Sequence, residues 1–122
     1  MTPNEYQELA LKTESHIEKL QLIGNEVRVL HAAIGIATEA GELLDALKKQ
    51  FYYLKIRDPV NIMEEFGDLL WYIAIGLDAC GSTMEQAMER NIAKLKARYG
   101  DKFSSEAALN RDLDTERKTL ES

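Results

Sequence analysis

Residues 27–54, VRVLHAAIGIATEAGELLDALKKQFYYL, contain no proline and no polar turn cluster. Nothing in them interrupts a helical reading, so they predict the longest element of the chain. At about 100° per residue, His31, Gly35, Glu39, Glu42, Ala46 and Lys49 fall on one stripe of that helix. Leu30, Ala33, Ile34, Ile36, Ala37, Ala40, Leu43, Leu44 and Leu47 take up most of the remaining surface. An acidic stripe bordered on both sides by apolar residues is unlike a solvated face, which is broader and more mixed in charge.

Inside that stripe, Glu39-Ala40-Gly41-Glu42 puts two carboxylates on neighbouring positions of one helix face. The pattern returns at Glu65-Phe66-Gly67-Asp68, where Asn61, Glu65, Asp68 and Tyr72 share a stripe and Glu64 lies beside it. Either pair alone reads as ordinary solvated surface. Two pairs set among apolar residues can instead face each other across a helix contact. Four converging carboxylates repel one another and lose solvation, so a positive partner has to compensate them. A hard divalent cation with oxygen ligands is the simplest one: Mg²⁺, with Mn²⁺ as an alternative. Such ions take phosphate oxygens as further ligands and can bridge a polyphosphate. Lys49, Lys94 and Arg98 are the candidates for holding phosphate, and Tyr72, Trp71 or Phe51-Tyr52-Tyr53 for stacking on a base. A carboxylate-bridged di-iron bundle would need Glu-x-x-His on two helices. Thr13 and Arg28 stand three residues before His16 and His31, which excludes it.

Around these stripes the chain reads as all-α and four-helix-bundle-like. Thr2-Pro3-Asn4-Glu5 is a capping box with proline at the first helical position. Helix one is expected to run to about Gln21, with Leu9, Ile17 and Leu20 on its apolar side, and Gly24 to follow as a stop. Asn25 is placed to cap the long helix. Lys55-Ile56-Arg57-Asp58-Pro59 breaks the chain, and Asp58 or Asn61 caps helix three, which runs to about Ala79. That helix is apolar on nearly every side and is expected to be central. Gly81 ends it, and Ser82-Thr83-Met84-Glu85 opens helix four. There Met84, Ala87, Met88, Ile92 and Leu95 can face a core, Asn91, Lys94 and Arg98 form a polar stripe, and Gly100 closes the helix. One or two turns are expected within 104–113, and residues 114–122 read as a charged, mobile tail.

A chain of 122 residues, 45% apolar and 30% charged, is expected to be one domain over 1–113, small for a deep pocket of its own and therefore disposed to associate. The formal charge of −6 argues against binding a nucleic-acid polymer, which needs a basic face. No apolar run approaches the roughly 20 residues of a membrane span. Met1-Thr2-Pro3-Asn4-Glu5 lacks the order of a signal peptide, so a cytoplasmic protein is expected. Cys80 is the only cysteine, which rules out an internal disulfide and a cysteine-based metal site.

Three segments together resemble the MazG-like branch of the all-α nucleoside triphosphate pyrophosphohydrolases. They are Ala37-Thr38-Glu39-Ala40-Gly41-Glu42-Leu43, Glu64-Glu65-Phe66-Gly67-Asp68-Leu69-Leu70-Trp71-Tyr72 and Asn91-Ile92-Ala93-Lys94-Leu95-Lys96-Ala97-Arg98-Tyr99. The family pattern is Glu-x-x-Glu, an interval, then Glu-x-x-Asp; here 22 residues separate Glu42 from Glu65. The resemblance implies Mg²⁺-dependent hydrolysis of a nucleoside triphosphate to the monophosphate and pyrophosphate. It implies Glu39, Glu42, Glu65 and Asp68 as metal ligands, Asn91, Lys94, Arg98 and Tyr99 as contacts to phosphate or sugar, and dimers or tetramers whose neighbouring helices complete the bundle. Two positions depart from the pattern. Thr38 stands where many members carry another acid, which leaves an outer contact to Asp45 or Glu64, and Gly100 stands where proline is common. The alternative reading is a non-enzymatic helical module that forms an oligomer, binds a basic partner or senses a nucleotide.

Overall fold

A computed structural model of the chain describes residues 1–15 and 24–122, with six helices and no strand among the described residues. They form two compact units, Met1–Thr83 and Met84–Ser122. No helix among the described residues is long and apolar enough to cross a membrane.

The first unit holds α1 (Pro3–Leu11), α2 (Glu26–Tyr53) and α3 (Pro59–Ala79). The capping box that opens α1 forms as expected: Thr2 Oγ1 accepts from the Glu5 N–H at 3.1 Å, and Glu5 Oε2 accepts from the Thr2 N–H at 2.6 Å. The helix stops at Leu11, well short of Gln21. Thr13 turns its N–H and its hydroxyl back onto the Ala10 carbonyl, at 3.1 and 2.9 Å, a local bond that competes with helix continuation. The expected continuation through His16, Ile17, Leu20 and Gln21 lies outside the described residues.

Helix α2 is uninterrupted, as its sequence requires. Asn25 precedes it in αR geometry and makes no side-chain capping bond; its Oδ1 accepts instead from Arg28 Nη1 at 3.4 Å. Leu54 closes the helix at φ +55°, a left-handed position that usually falls to glycine, and the Lys55 N–H bonds back to the Lys49 carbonyl at 3.1 Å. At the break, Asp58 rather than Asn61 supplies the cap of α3, accepting from the Val60 N–H at 3.0 Å.

Both α1 and α2 pack on α3. The α2–α3 seam is narrow because small residues line it. A Cβ on Gly35 would sit 2.2 Å from Tyr72 Cδ1, and one on Gly76 would sit 3.1 Å from Ala32 Cβ. Among the described residues the buried apolar core of this unit is Ala10, Ala32, Ala74, Ile75 and Ala79. Polar ties supplement it. Buried Gln7 donates through Nε2 to the Ala74 carbonyl at 3.0 Å and the Ser82 carbonyl at 3.3 Å, and Trp71 Nε1 donates to Thr13 Oγ1 at 2.7 Å. Arg28 holds the buried Glu14 carboxylate with both Nε and Nη2, and Asp78 with Nη2. Helix α3 is therefore central to its unit, but not covered all round. Val60, Met63, Phe66 and Leu70 on α3, and Leu30, Ile34, Leu44 and Phe51 on α2, remain exposed.

The second unit holds α4 (Met84–Tyr99), α5 (Ser105–Leu109) and α6 (Leu113–Glu121), with both shorter helices packed on α4. Gly100 ends α4 at φ +66°. Met88 and Ile92, expected in a core, are 50% and 53% exposed. The segment expected as a charged tail is helical. Asp112 caps α6 by accepting from the Thr115 N–H at 3.1 Å, and Glu116 is only 4% exposed, receiving Arg98 and Arg111 together.

Candidate metal centre

Glu39 and Glu42 lie one turn apart on α2, and Glu65 lies on the facing stripe of α3. Each of the three offers a carboxylate oxygen, and these oxygens all fall within 4.8 Å of one another. The grouping follows from the seam: Ala32 and Gly35 let the helices approach closely, and the stripes one turn further along then meet as acids. Glu65 is buried, Glu39 half-buried and Glu42 exposed, so the cluster grades from the interior to solvent. Asp68 is exposed and is not one of these mutually close oxygens, although its charge reaches both Glu39 and Tyr6.

The acids act on one another electrostatically. Burial, contact with the Glu65 carboxyl, and the charges of Glu42, Asp68 and Glu65 push Glu39 up to about 7. Among the described residues, Glu39 Oε2 and Glu65 Oε2 are both buried without a hydrogen-bond partner. Orphaned carboxylate oxygens of this kind are costly in a folded interior. A cation with oxygen preference answers both problems at once, because it supplies the missing partner and lowers the mutual repulsion. By that test the residues fit a hard divalent ion.

Several other residues singled out in the sequence have partners of their own. Lys49 is exposed and pairs with Asp45 at 2.7 Å, while Lys48 pairs with the same carboxylate at 3.6 Å. Asp45, a candidate replacement for the acid absent at Thr38, is thus engaged by two lysines; the Thr38 hydroxyl itself bonds to the Gly35 carbonyl at 3.1 Å. Tyr72 is half-buried, its ring over Gly35 and edge-on to His31 and Trp71 at 5.6 and 4.9 Å. In the second unit, Asn91 is exposed and Lys94 half-exposed on α4. Arg98 is held by Glu116 and lies 5.4 Å from the centre of the Tyr99 ring, which in turn packs on Phe103 at 5.2 Å.

Two neighbours of the cluster carry no site role in the sequence reading, where Asn61 is a candidate helix cap and Tyr6 has no role. Asn61 donates through Nδ2 to Glu65 Oε1 at 3.3 Å. Its four-residue spacing on the acidic stripe was the available signal. Tyr6 donates its hydroxyl to the Gly67 carbonyl at 3.4 Å, between the two α3 acids. That contact depends on how α1 docks, which no local pattern announces.

A family model described as the MazG nucleotide pyrophosphohydrolase domain matches residues 30–103, a span that includes all three clustered acids and Asp68. No curated protein and no solved structure matches the chain.

Proposed function

Because the chain belongs to the MazG nucleotide pyrophosphohydrolase family, we propose that it hydrolyses a nucleoside or deoxynucleoside triphosphate to the monophosphate and pyrophosphate, using Mg²⁺ held by Glu39, Glu42, Glu65 and Asp68. The observation that carries this reading is the pair of buried, unpartnered oxygens on Glu39 and Glu65 within a group of three acids. Mn²⁺ is the natural substitute ion.

When bound, such a cation supplies positive charge that polarises phosphate oxygens and offsets the charge of the leaving pyrophosphate. The chain's own acids do the remaining work. One of Glu39, Glu42 and Glu65 accepts a hydrogen bond from water and orients it on phosphorus. The water oxygen forms the new bond as the anhydride P–O bond between the α and β phosphates breaks, and the water's proton leaves through that carboxylate. The interior position of Glu65 keeps bulk solvent from competing at one side of the cluster. Asn91, Lys94, Arg98 and Tyr99 are substrate contacts by the resemblance, and Lys49 and Tyr72 by their chemistry on the acidic stripes, as a phosphate-holding cation and a base-stacking ring.

We also assign a second copy of this chain as the partner that covers the exposed apolar faces of α2 and α3, and a cytoplasmic setting for the reaction. The exposure of Ile34, Leu44, Met63 and Phe66 supports the association. Pyrophosphate release measured over a panel of triphosphates, with and without Mg²⁺, tests the activity. Release from none of them in the presence of Mg²⁺ overturns it and favours the module that binds without turnover.

A further inference from the structure

The two oxygens of the Glu65 carboxylate have different surroundings. Oε1 accepts from Asn61 Nδ2 at 3.3 Å, whereas Oε2 is buried with no hydrogen-bond partner among the described residues, on a side chain whose residue is 7% exposed. Asn61 stands one turn earlier on α3, where the local role an asparagine would ordinarily serve is already filled: Asp58, not Asn61, caps the helix. Asparagine inside a helix is a poorer helix former than alanine or leucine, because its amide competes for backbone bonds. Here the amide reaches a side chain in the acidic cluster instead.

We infer that Asn61 is a positioning residue for the cation, anchoring Glu65 through Oε1 so that Oε2 stays free as the ligand oxygen. The inference rests on the metal reading given above and deepens it. A glutamate has three side-chain torsions, and one standing beside Glu39 and Glu42 without an anchor is driven by repulsion to swing away from them. An amide donor stops that swing without adding charge. Lysine or arginine at the same place would bind the carboxylate more strongly but neutralise the cluster, taking the place of the ion they are meant to serve. A neutral donor holding the outer oxygen of a metal-binding carboxylate is the arrangement by which ligands beyond the ion's own shell set its affinity.

The test is a Mn²⁺ titration of the full chain, with free ion followed by electron paramagnetic resonance, on the wild type, Asn61→Leu, Asn61→Gln and Glu65→Gln. Leucine keeps the branched shape and favours the helix but cannot donate; glutamine keeps the donor on a longer arm. Asn61→Leu should bind Mn²⁺ about ten- to a hundredfold more weakly. Asn61→Gln should stay within a few-fold of wild type, and the ion-free melting temperatures of both should match it. Wild-type affinity in Asn61→Leu, with binding lost in Glu65→Gln, overturns the positioning role and leaves the metal reading intact. Equal losses in the leucine and glutamine variants also overturn it, because the effect would then be packing and not the hydrogen bond. A wild type that binds no Mn²⁺ overturns both.

Discussion

The ring of Tyr72 lies so close over Gly35 that a Cβ at that position would meet Cδ1 and Cε1 at 2.2 Å. Only the missing side chain lets α2 and α3 approach there, and the meeting of Glu39 and Glu42 with Glu65 depends on the same approach. Gly35→Ala is therefore expected to lower stability by about 1–3 kcal/mol through forced repacking of the seam. Gly67→Ala is the control. It sits inside α3 with nothing within 4 Å of its would-be Cβ, so it should gain about 0.5–1 kcal/mol. Urea titrations of the two variants check the contrast, and equal effects would show that the seam is not tight.

The acids should trade stability for binding. In Glu39→Gln a half-buried carboxyl that is hard to ionise becomes a neutral amide, so the ion-free melting temperature should hold or rise. The rise in melting temperature on adding Mg²⁺ with a nucleotide analogue should vanish in the same variant. Differential scanning calorimetry reads both. A variant that loses ion-free stability yet keeps its Mg²⁺ response contradicts the assignment.

Turnover should be abolished in Glu42→Gln and in Asp68→Asn while circular dichroism stays that of the wild type. The Asp68 variant is the more informative one. Its carboxylate is exposed and outside the close group, so full activity there would restrict the working set to Glu39, Glu42 and Glu65.

Removing Arg28 should be costly. Glu14 is buried and held bidentately by Arg28, which also reaches the half-exposed Asp78. Arg28→Ala strands an interior carboxylate and is expected to cost about 3 kcal/mol. Pairing it with Glu14→Gln should recover part of that loss in a double-mutant cycle.

Acid should loosen the second unit. Arg98 and Arg111 hold the Glu116 carboxyl down to about 2, against an ordinary value of 4.5. The folded carboxyl thus gives up its proton more readily than the unfolded one. The stabilisation it brings is fully present above about pH 4.5 and is lost as pH falls towards 2. Glu116→Gln should flatten that part of the stability–pH curve, monitored through hydrogen exchange of α4 and α6 amides.

Part of this architecture is legible in the sequence and part is not. The limits of α2, α3 and α4 were legible because Pro59, Gly81 and Gly100 act locally, on the backbone they occupy. The grouping of Glu39, Glu42 and Glu65 was legible because helical spacing fixes which side chains share a face. The end of α1 was not: Thr13 bends back onto Ala10, and Glu14 just beyond it is held by Arg28, fourteen residues away, which a window along the chain cannot see. Likewise, residues 114–122 look like a solvated tail by composition, until Arg98 and Arg111 give Glu116 a reason to be buried. Asp68 shows the converse limit, since sharing a stripe with Glu65 did not bring its oxygen into the same group.

In the first unit the helices keep acids between them and turn Ile34, Leu44, Met63 and Phe66 outward. Whatever joins two chains over such surfaces draws on the entropy of released water, a driving force that fades as temperature drops. If a second copy covers these faces as proposed, chilling should separate the copies while each helix pair stays folded, so the assembly would yield to cold before heat.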